Sequence, residues 1–241
     1  MNAVRLFALI AFAFGNAALL YFVVFLGDFA WAPATVNRTL VPLAAPAWVV
    51  DLALIALFGV QHSVMARPGF KSRLTMLIPG SAERSHYVFC SALALTALML
   101  LWQPMPSVVW DVGLAAPLIW AVFALGWALV FTASNLIDPL ELFGLKQAFT
   151  GRVERVPFKT PWLYRQVRHP IMLGSLLAVW AAPVMTQGRF FLAVGVSAYI
   201  ALALPFEERD LRAAFGAEYD EYARRVPALI PGWVPAQKQA V

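Results

Sequence analysis

Hydrophobic residues run along this chain in blocks, not in alternation. Six blocks, near 4–27, 45–66, 86–103, 113–137, 171–187 and 189–206, are separated by short polar stretches. A helix needs about 20 apolar residues to cross a bilayer, so the first four blocks predict full spans. The last two are shorter; Pro183 lies inside the fifth and Gly188 follows it, which predicts a short, kinked hairpin. Beyond it, Leu211, Phe215, Tyr219, Tyr222 and Val226 recur at steps of three or four, opposite Arg212, Asp220, Glu221, Arg224 and Arg225. That periodicity predicts an amphipathic helix over 206–226, lying on the membrane surface or walling a pocket. The expected architecture is all-α: a polytopic integral-membrane helical bundle of five to six transmembrane helices, including the C-terminal hairpin, with an amphipathic C-terminal helix on the cytoplasmic side.

Composition supports the same class. Of 241 residues, 61% are hydrophobic and 13% charged, with a mean hydropathy of +0.72, whereas a soluble domain carries about 25% charged residues. The whole chain, 1–241, reads as one domain, with a membrane bundle over 1–137 and a polar-rich C-terminal region over 138–231. The first block, with Arg5 before it and Ala30-Trp31-Ala32 after it, has the outline of a signal peptide. Its apolar run exceeds the usual 7–15 residues, so an uncleaved anchor is expected.

The basic residues alternate between loops. Arg5 alone precedes the first block and Arg38 alone marks the first loop. Arg67, Lys71, Arg73 and Arg84 fill the second loop, and the third has none. Lys146, Arg152, Arg155, Lys159, Arg165 and Arg168 fill the fourth, Arg189 marks the hairpin tip, and five more lie in the tail. This asymmetry predicts that both termini, the second loop and the fourth loop face the cytoplasm. It also accounts for the net charge of +5 without any nucleic-acid partner. The single Cys90 excludes a disulfide framework within the chain.

Ionisable groups crowd the ends of the hairpin: Tyr164, Arg165, Arg168 and His169 before it, next to Pro170, and Glu207, Glu208 and Asp210 after it. Such groups are costly beside hydrocarbon and by default mark function. His169 and Glu207 are 38 residues apart, enough for about 26 Å out and 26 Å back in helix, so the two ends should meet on one face. His62, His86 and His169 all fall near the cytoplasmic boundary, and three histidines at one depth suggest one site. No HxxxH, HExxH or CxxC spacing supports a metal. No Gly-x-Ser-x-Gly, Walker loop or GxGxxG is present. Arginines, carboxylates and aromatic rings at one face suit a polar, zwitterionic, partly aromatic ligand, a description that S-adenosylmethionine fits.

Arg168-His169-Pro170-x-x-x-Gly174, then Glu207-Glu208-x-x-Leu211, then Phe215-Gly216-x-x-Tyr219-x-x-Tyr222 and a late proline resemble the isoprenylcysteine carboxyl methyltransferase superfamily, which includes phospholipid methyltransferases. Gln61-His62-Ser63-Val64-Met65-Ala66-Arg67, Glu83-Arg84-Ser85-His86-Tyr87-Val88, Trp102-Gln103-Pro104 and Glu141 to Gln147 are similar to the bacterial membrane-bound methanethiol S-methyltransferases. They are also similar to the denitrification-associated NnrU-type membrane proteins. The resemblance implies S-adenosylmethionine as methyl donor, with S-adenosylhomocysteine as product. It implies a cofactor role for Arg168, His169, Pro170, Gly174, Glu207 and Glu208. Many members have tyrosine where this chain has Met172, so Tyr164 or Tyr199 is expected to supply the missing hydroxyl, or Met172 to pack against the donor.

The activity implied is transfer to a small thiol, methanethiol, giving dimethyl sulfide at the bacterial inner membrane. A lipid or isoprenylcysteine carboxylate is the other acceptor class, and an NnrU-type protein without catalysis is the third reading. A small thiol asks for a closed pocket, and a lipid for a groove open to the bilayer. Thiols need deprotonation. The candidate bases are His62 and His86, with Arg84 as a cation favouring the thiolate. Asp138 and Glu141 stand behind them, through the raised pKa of carboxylates at a membrane boundary. Glu83-Arg84 reads otherwise as a loop ion pair, and Asp51 as interfacial.

Overall fold

The computed structural model describes residues 2–152 and 157–232; Arg155 of the basic fourth loop lies outside them. Ten helices and one two-stranded sheet stand among these residues. Five helices are long and apolar enough to span a membrane, so the protein is a polytopic helical membrane protein. These are α1 (Ala3–Gly27), α2 (Ala47–Ala66), α4 (Gly80–Leu101), α5 (Ala116–Ile137, entered through a 3₁₀ turn at Gly113–Ala115) and α9 (Gln187–Phe215). Only 17–39% of each span is buried within the protein; side chains such as Leu20, Val60, Leu118 and Leu202 are left for lipid. The short helices are α3 (Pro68–Leu74), α6 (Pro139–Leu142), α7 (Leu145–Thr150), α8 (Pro170–Trp180) and α10 (Ala217–Arg225).

Three boundaries differ from the sequence expectation, each for a local reason. The fifth block does not make a helix over 171–187: α8 stops at Trp180. Pro183 would have to sit against the carbonyl of Val179 and has no N–H to give, so a helix cannot run through it. The chain goes on as an extended segment whose Val184–Thr186 (β2) pairs antiparallel with Val108–Asp111 (β1). An extended residue advances about 3.3 Å against 1.5 Å in a helix, so a short helix plus a short strand still covers a length comparable to a bilayer core. The backbone groups this exposes are paired: Val112 N–H donates to Pro183 O at 3.0 Å, Gln187 N–H to Ser107 O at 2.8 Å and Gly188 N–H to Met105 O at 3.0 Å.

The second difference is in the tail. One amphipathic helix over 206–226 does not form. Instead α9 continues through Pro205 to Phe215, and Gly216, at φ +57°, turns the chain into α10. Only glycine enters that turn without strain. The third is α4, which begins at Gly80 and not at 86, because Pro79 ends the preceding loop and the polar turn around Glu83 and Arg84 is helical.

The helices pack as α1 on α4, α4 on α2, α2 on α9, α9 on α8 and α8 on α5. Phe22 of α1 meets Trp127 of α5 edge-on at 6.0 Å and closes the ring. At the α5–α8 crossing Gly126 and Gly174 face each other so closely that a Cβ on Gly174 would lie 2.5 Å from Gly126 O. Phe25, Met99, Trp102, Trp127 and Leu192 fill the interior.

One end of the bundle is sealed. Asn37 donates to Asp28 at 2.8 Å, Thr186 donates to Asn37 at 2.7 Å, and the buried Arg189 bonds the carbonyls of Leu26 and Val184. Asp51 belongs to this seal: it is fully buried and accepts from Gln103 N–H at 2.8 Å, capping the chain as it leaves α4. The opposite end gathers the basic loops and is called the basic end below.

Candidate functional site

At the basic end the two legs of the hairpin return to one place. His169, just before α8, sets Nδ1 3.5 Å from Glu207 and Nε2 3.4 Å from Glu208, both on α9. The His169 side chain is 3% exposed. Burial works against a charged ring, but hydrogen bonds to the two glutamates outweigh it and hold the pKa above the ordinary 6.5. With both ring nitrogens facing carboxylates, the imidazolium is the form that satisfies the site.

Arg168 is used up within the fold. Its Nε donates to Glu208 at 2.9 Å and one terminal nitrogen bonds the same carboxylate. The other terminal nitrogen bonds Ala223 O, at 3.0 Å, and Val226 O. Its backbone N–H donates to Pro227 O at 2.8 Å, and that of His169 to Ala228 O at 3.1 Å. Arg168 and Glu208 therefore form a clasp holding α10 and the segment after it against α8 and α9. Arg212 adds a contact to Glu208 at 3.3 Å, and the Tyr222 hydroxyl bonds Tyr164 O. Burial drives the Tyr219 pKa up to about 12.

Glu207 differs from Glu208: its side chain is 47% exposed. It lies near enough to His62, Tyr87, Tyr164 and Tyr199 to act on all four electrostatically. Tyr199 precedes it by eight residues on the same helix, about 12 Å further into the bundle.

There His62 of α2 forms the centre of a second cluster. Its Nε2 is 2.7 Å from the Tyr87 hydroxyl and its Nδ1 3.2 Å from Ser91 Oγ, both on α4. Phe58 stacks on the ring at 5.3 Å, and Tyr199 stands edge-on at 6.4 Å with its hydroxyl bonded to Ser63. Arg84 lies over the Tyr87 ring at 4.8 Å, and Arg67 pairs with Asp210 at 2.7 Å across the mouth. Gln61 Oε1, beside Ser91, is buried without a partner among the described residues.

The structure thus brings His62, Tyr164, Tyr199, His169, Glu207 and Glu208 to one end. It does not make one site of the three histidines. His86 points the other way on α4, stacked 4.4 Å from Phe7 of α1 with Nδ1 bonded to Ala82 O, apart from the cluster around His62. Gly174 lies at the helix crossing, against Gly126. Pro170 is fully buried at the first position of α8, where its fixed φ starts the helix. Met172 is half-buried in the same turn. Arg84 stands in the first turn of α4, bonds Leu142 O at 2.7 Å and makes no ion pair with Glu83. Asp138 caps α6, and the Glu141 N–H it accepts, more than Lys146, holds its carboxyl below the usual range and not above it. Glu141 is paired with Lys146 at 3.3 Å. Tyr87 and Ser91 escaped the sequence reading: hydroxyls on an apolar helix carry no spacing signal until the facing helix is known.

Two grooves lie elsewhere. One of about 270 Å³, lined by Ile119, Val122, Leu176, Leu177 and Trp180, opens between α5 and α8 toward the sealed end. The other, of about 380 Å³, runs between Phe158 and Tyr222 outside the clasp.

No family model and no solved structure matches the chain. Its sequence relatives are nonetheless clear. It is 44% identical over 234 residues to methanethiol S-methyltransferase 2 of Bradyrhizobium diazoefficiens, covering 95% of this chain and 90% of that one. It is 46% identical over 231 residues to the methanethiol S-methyltransferase of Mycobacterium tuberculosis, covering 90% and 94%. Nurim of Xenopus laevis is 32% identical over 202 residues, covering 77% and 70%. With such identities over nearly its whole length, the chain belongs to the methanethiol S-methyltransferase family.

Proposed function

We propose that this protein transfers a methyl group from S-adenosylmethionine to methanethiol, giving dimethyl sulfide and S-adenosylhomocysteine by direct in-line displacement. The relatives' names supply the acceptor. The observation that carries the reading is the half-exposed carboxylate of Glu207 at the basic end of the same helix whose Tyr199 packs on His62. The loop asymmetry of Lys and Arg supports a cytoplasmic basic end, with both termini and the site on that side, and the proposed location is a bacterial inner membrane.

The residues present fit such a donor. Glu207 offers a carboxylate for an amino group or ribose hydroxyls. Tyr164 and Tyr199 offer ring faces to a sulfonium, and Gln61 Oε1 is a buried acceptor awaiting a donor. When bound, S-adenosylmethionine supplies an electrophilic methyl group on a positively charged sulfur. The chain's own tasks are then three. The Arg168–Glu208 clasp and His169 fix the α8–α9 end so that Glu207 is held in place. Phe58, Tyr87 and Tyr199 exclude water around His62. His62 takes the thiol proton, since a thiol of pKa about 8.5 or higher is only a few per cent ionised at neutral pH.

The α5–α8 groove is apolar and would suit a lipid acceptor. Its lining comes from the start of α5 and the end of α8, toward the sealed end and away from Glu207, so it does not serve this site. The test is dimethyl sulfide in the headspace over purified protein in detergent, given methanethiol and S-adenosylmethionine. Product that scales with enzyme and vanishes without the donor supports the reading; donor binding without product moves the acceptor to a lipid or prenyl carboxylate. Absence of both leaves a non-catalytic membrane protein.

A further inference from the structure

Both ring nitrogens of His62 are already bonded to hydroxyls of α4, so a proton reaches this histidine through one of them. We infer that Tyr87 is a catalytic residue, receiving the thiol proton on its oxygen while passing its own to His62 Nε2; this rests on the thiol-transfer reading above.

The choice between the two hydroxyls follows from acidity and occupancy. A phenol has a pKa near 10, close to that of an alkyl thiol; an aliphatic alcohol is a far weaker acid. Ser91 Oγ also receives Gln61 Nε2 at 3.4 Å in addition to His62, so its lone pairs are engaged. Tyr87 makes one hydrogen bond, to His62 at 2.7 Å, and stands nearer the mouth, one helical turn toward the basic end. With Tyr87 donating to Nε2, the proton of neutral His62 is on Nδ1 and donates to Ser91.

The step balances without a further reactant. The S–H bond breaks and its electron pair stays on sulfur to form the new C–S bond, in place of the methyl–sulfonium bond, whose electron pair leaves with S-adenosylhomocysteine. An O–H bond forms at Tyr87 as its former proton moves to Nε2. His62 is left as imidazolium, donating to Tyr87 and Ser91, and after turnover its proton returns through the Tyr87 hydroxyl toward the basic end. The charged and titratable groups facing the pair are Arg84 of α4, Arg67 of α2, and Tyr199 and Glu207 of α9. Arg84 over the phenol ring favours any negative charge gathering on its oxygen.

The test uses Tyr87→Phe, which keeps the ring, in the full-length protein in detergent. Donor affinity measured by calorimetry reports folding. The expected result is an unchanged donor Kd with kcat/KM for methanethiol lowered about 10²-fold at pH 7, the usual scale of general-base loss. The deficit should shrink as pH rises and free thiolate replaces the relay. It should also be far smaller with methaneselenol, which is ionised at neutral pH. His62→Ala combined with Tyr87→Phe should be no slower than either alone. Ser91→Ala should lose less than Tyr87→Phe. Full activity in Tyr87→Phe, an equal loss with the selenol, or a greater loss in Ser91→Ala would overturn the role of Tyr87 alone. No product from the unmodified protein would remove the thiol reading, and this inference with it.

Discussion

Glu208→Gln tests whether the clasp, and not a bound ligand, is what the Arg168 motif serves. The Arg168 and Glu208 side chains are 9% and 13% exposed. Removing the carboxylate charge leaves a buried guanidinium facing two carbonyls, with the His169 imidazolium beside it. Breaking a buried pair from one side costs about 3–5 kcal/mol. Glutamine still accepts one of the Arg168 bonds, which puts the variant near the lower figure. The loss should be local, because the carbonyls of Ala223 and Val226 hang on the arginine side chain and those of Pro227 and Ala228 on the adjoining backbone. About 3 kcal/mol corresponds to an opening equilibrium shifted roughly 10²-fold. Amide exchange in detergent should therefore quicken by that order over 217–228 while α1 and α4 are unchanged. Arg168→Lys should do nearly the same, since an ammonium cannot bridge a carboxylate and two carbonyls at once. Unchanged exchange over 217–228 in both variants would show that the clasp does not hold α10.

The remaining outcomes follow from single contacts. Folding raises the His169 pKa above 6.5, so its stabilisation is complete below that value and is lost as pH climbs through the raised one. Melting temperature should fall across this alkaline-side window in the unmodified protein and stay flat in His169→Gln; parallel curves would refute the imidazolium. Gly174→Leu should separate α5 from α8, since even a Cβ would lie 2.5 Å from Gly126 O. Overpacking costs about 1–3 kcal/mol or more, to be read as lost thermal stability of the detergent-solubilised protein. Asp51→Asn keeps an acceptor for Gln103 N–H and should melt at or above the unmodified temperature, whereas Asp51→Leu orphans that N–H and should melt lower.

What the sequence disclosed depended on whether one residue or a pair of helices carried the signal. The spans were legible because a bilayer imposes a length. The meeting of His169 with Glu207 and Glu208 was legible because a short hairpin leaves its ends nowhere else to go. The same logic misjudged the ascending leg: Pro183 cuts the helix at Trp180, and a strand, invisible without its partner at 108–111, continues the leg.

The inner cluster was half legible, and α4 shows why. His86 and Tyr87 are neighbours in sequence and differ by 100° around the helix. Either could have faced α2, because α4 is apolar on every side and sits between α1 and α2. Histidine, rare at that depth, drew attention; tyrosine, common in interfacial belts, did not. Packing reverses their standing. His86 turns to Phe7 and bonds its own helix, while Tyr87 turns to His62 and brings Ser91 with it, one turn deeper. In a helix without a polar face, the rarest residue type does not tell which side chain meets the neighbouring helix's histidine; only the packing of α2 against α4 reveals that.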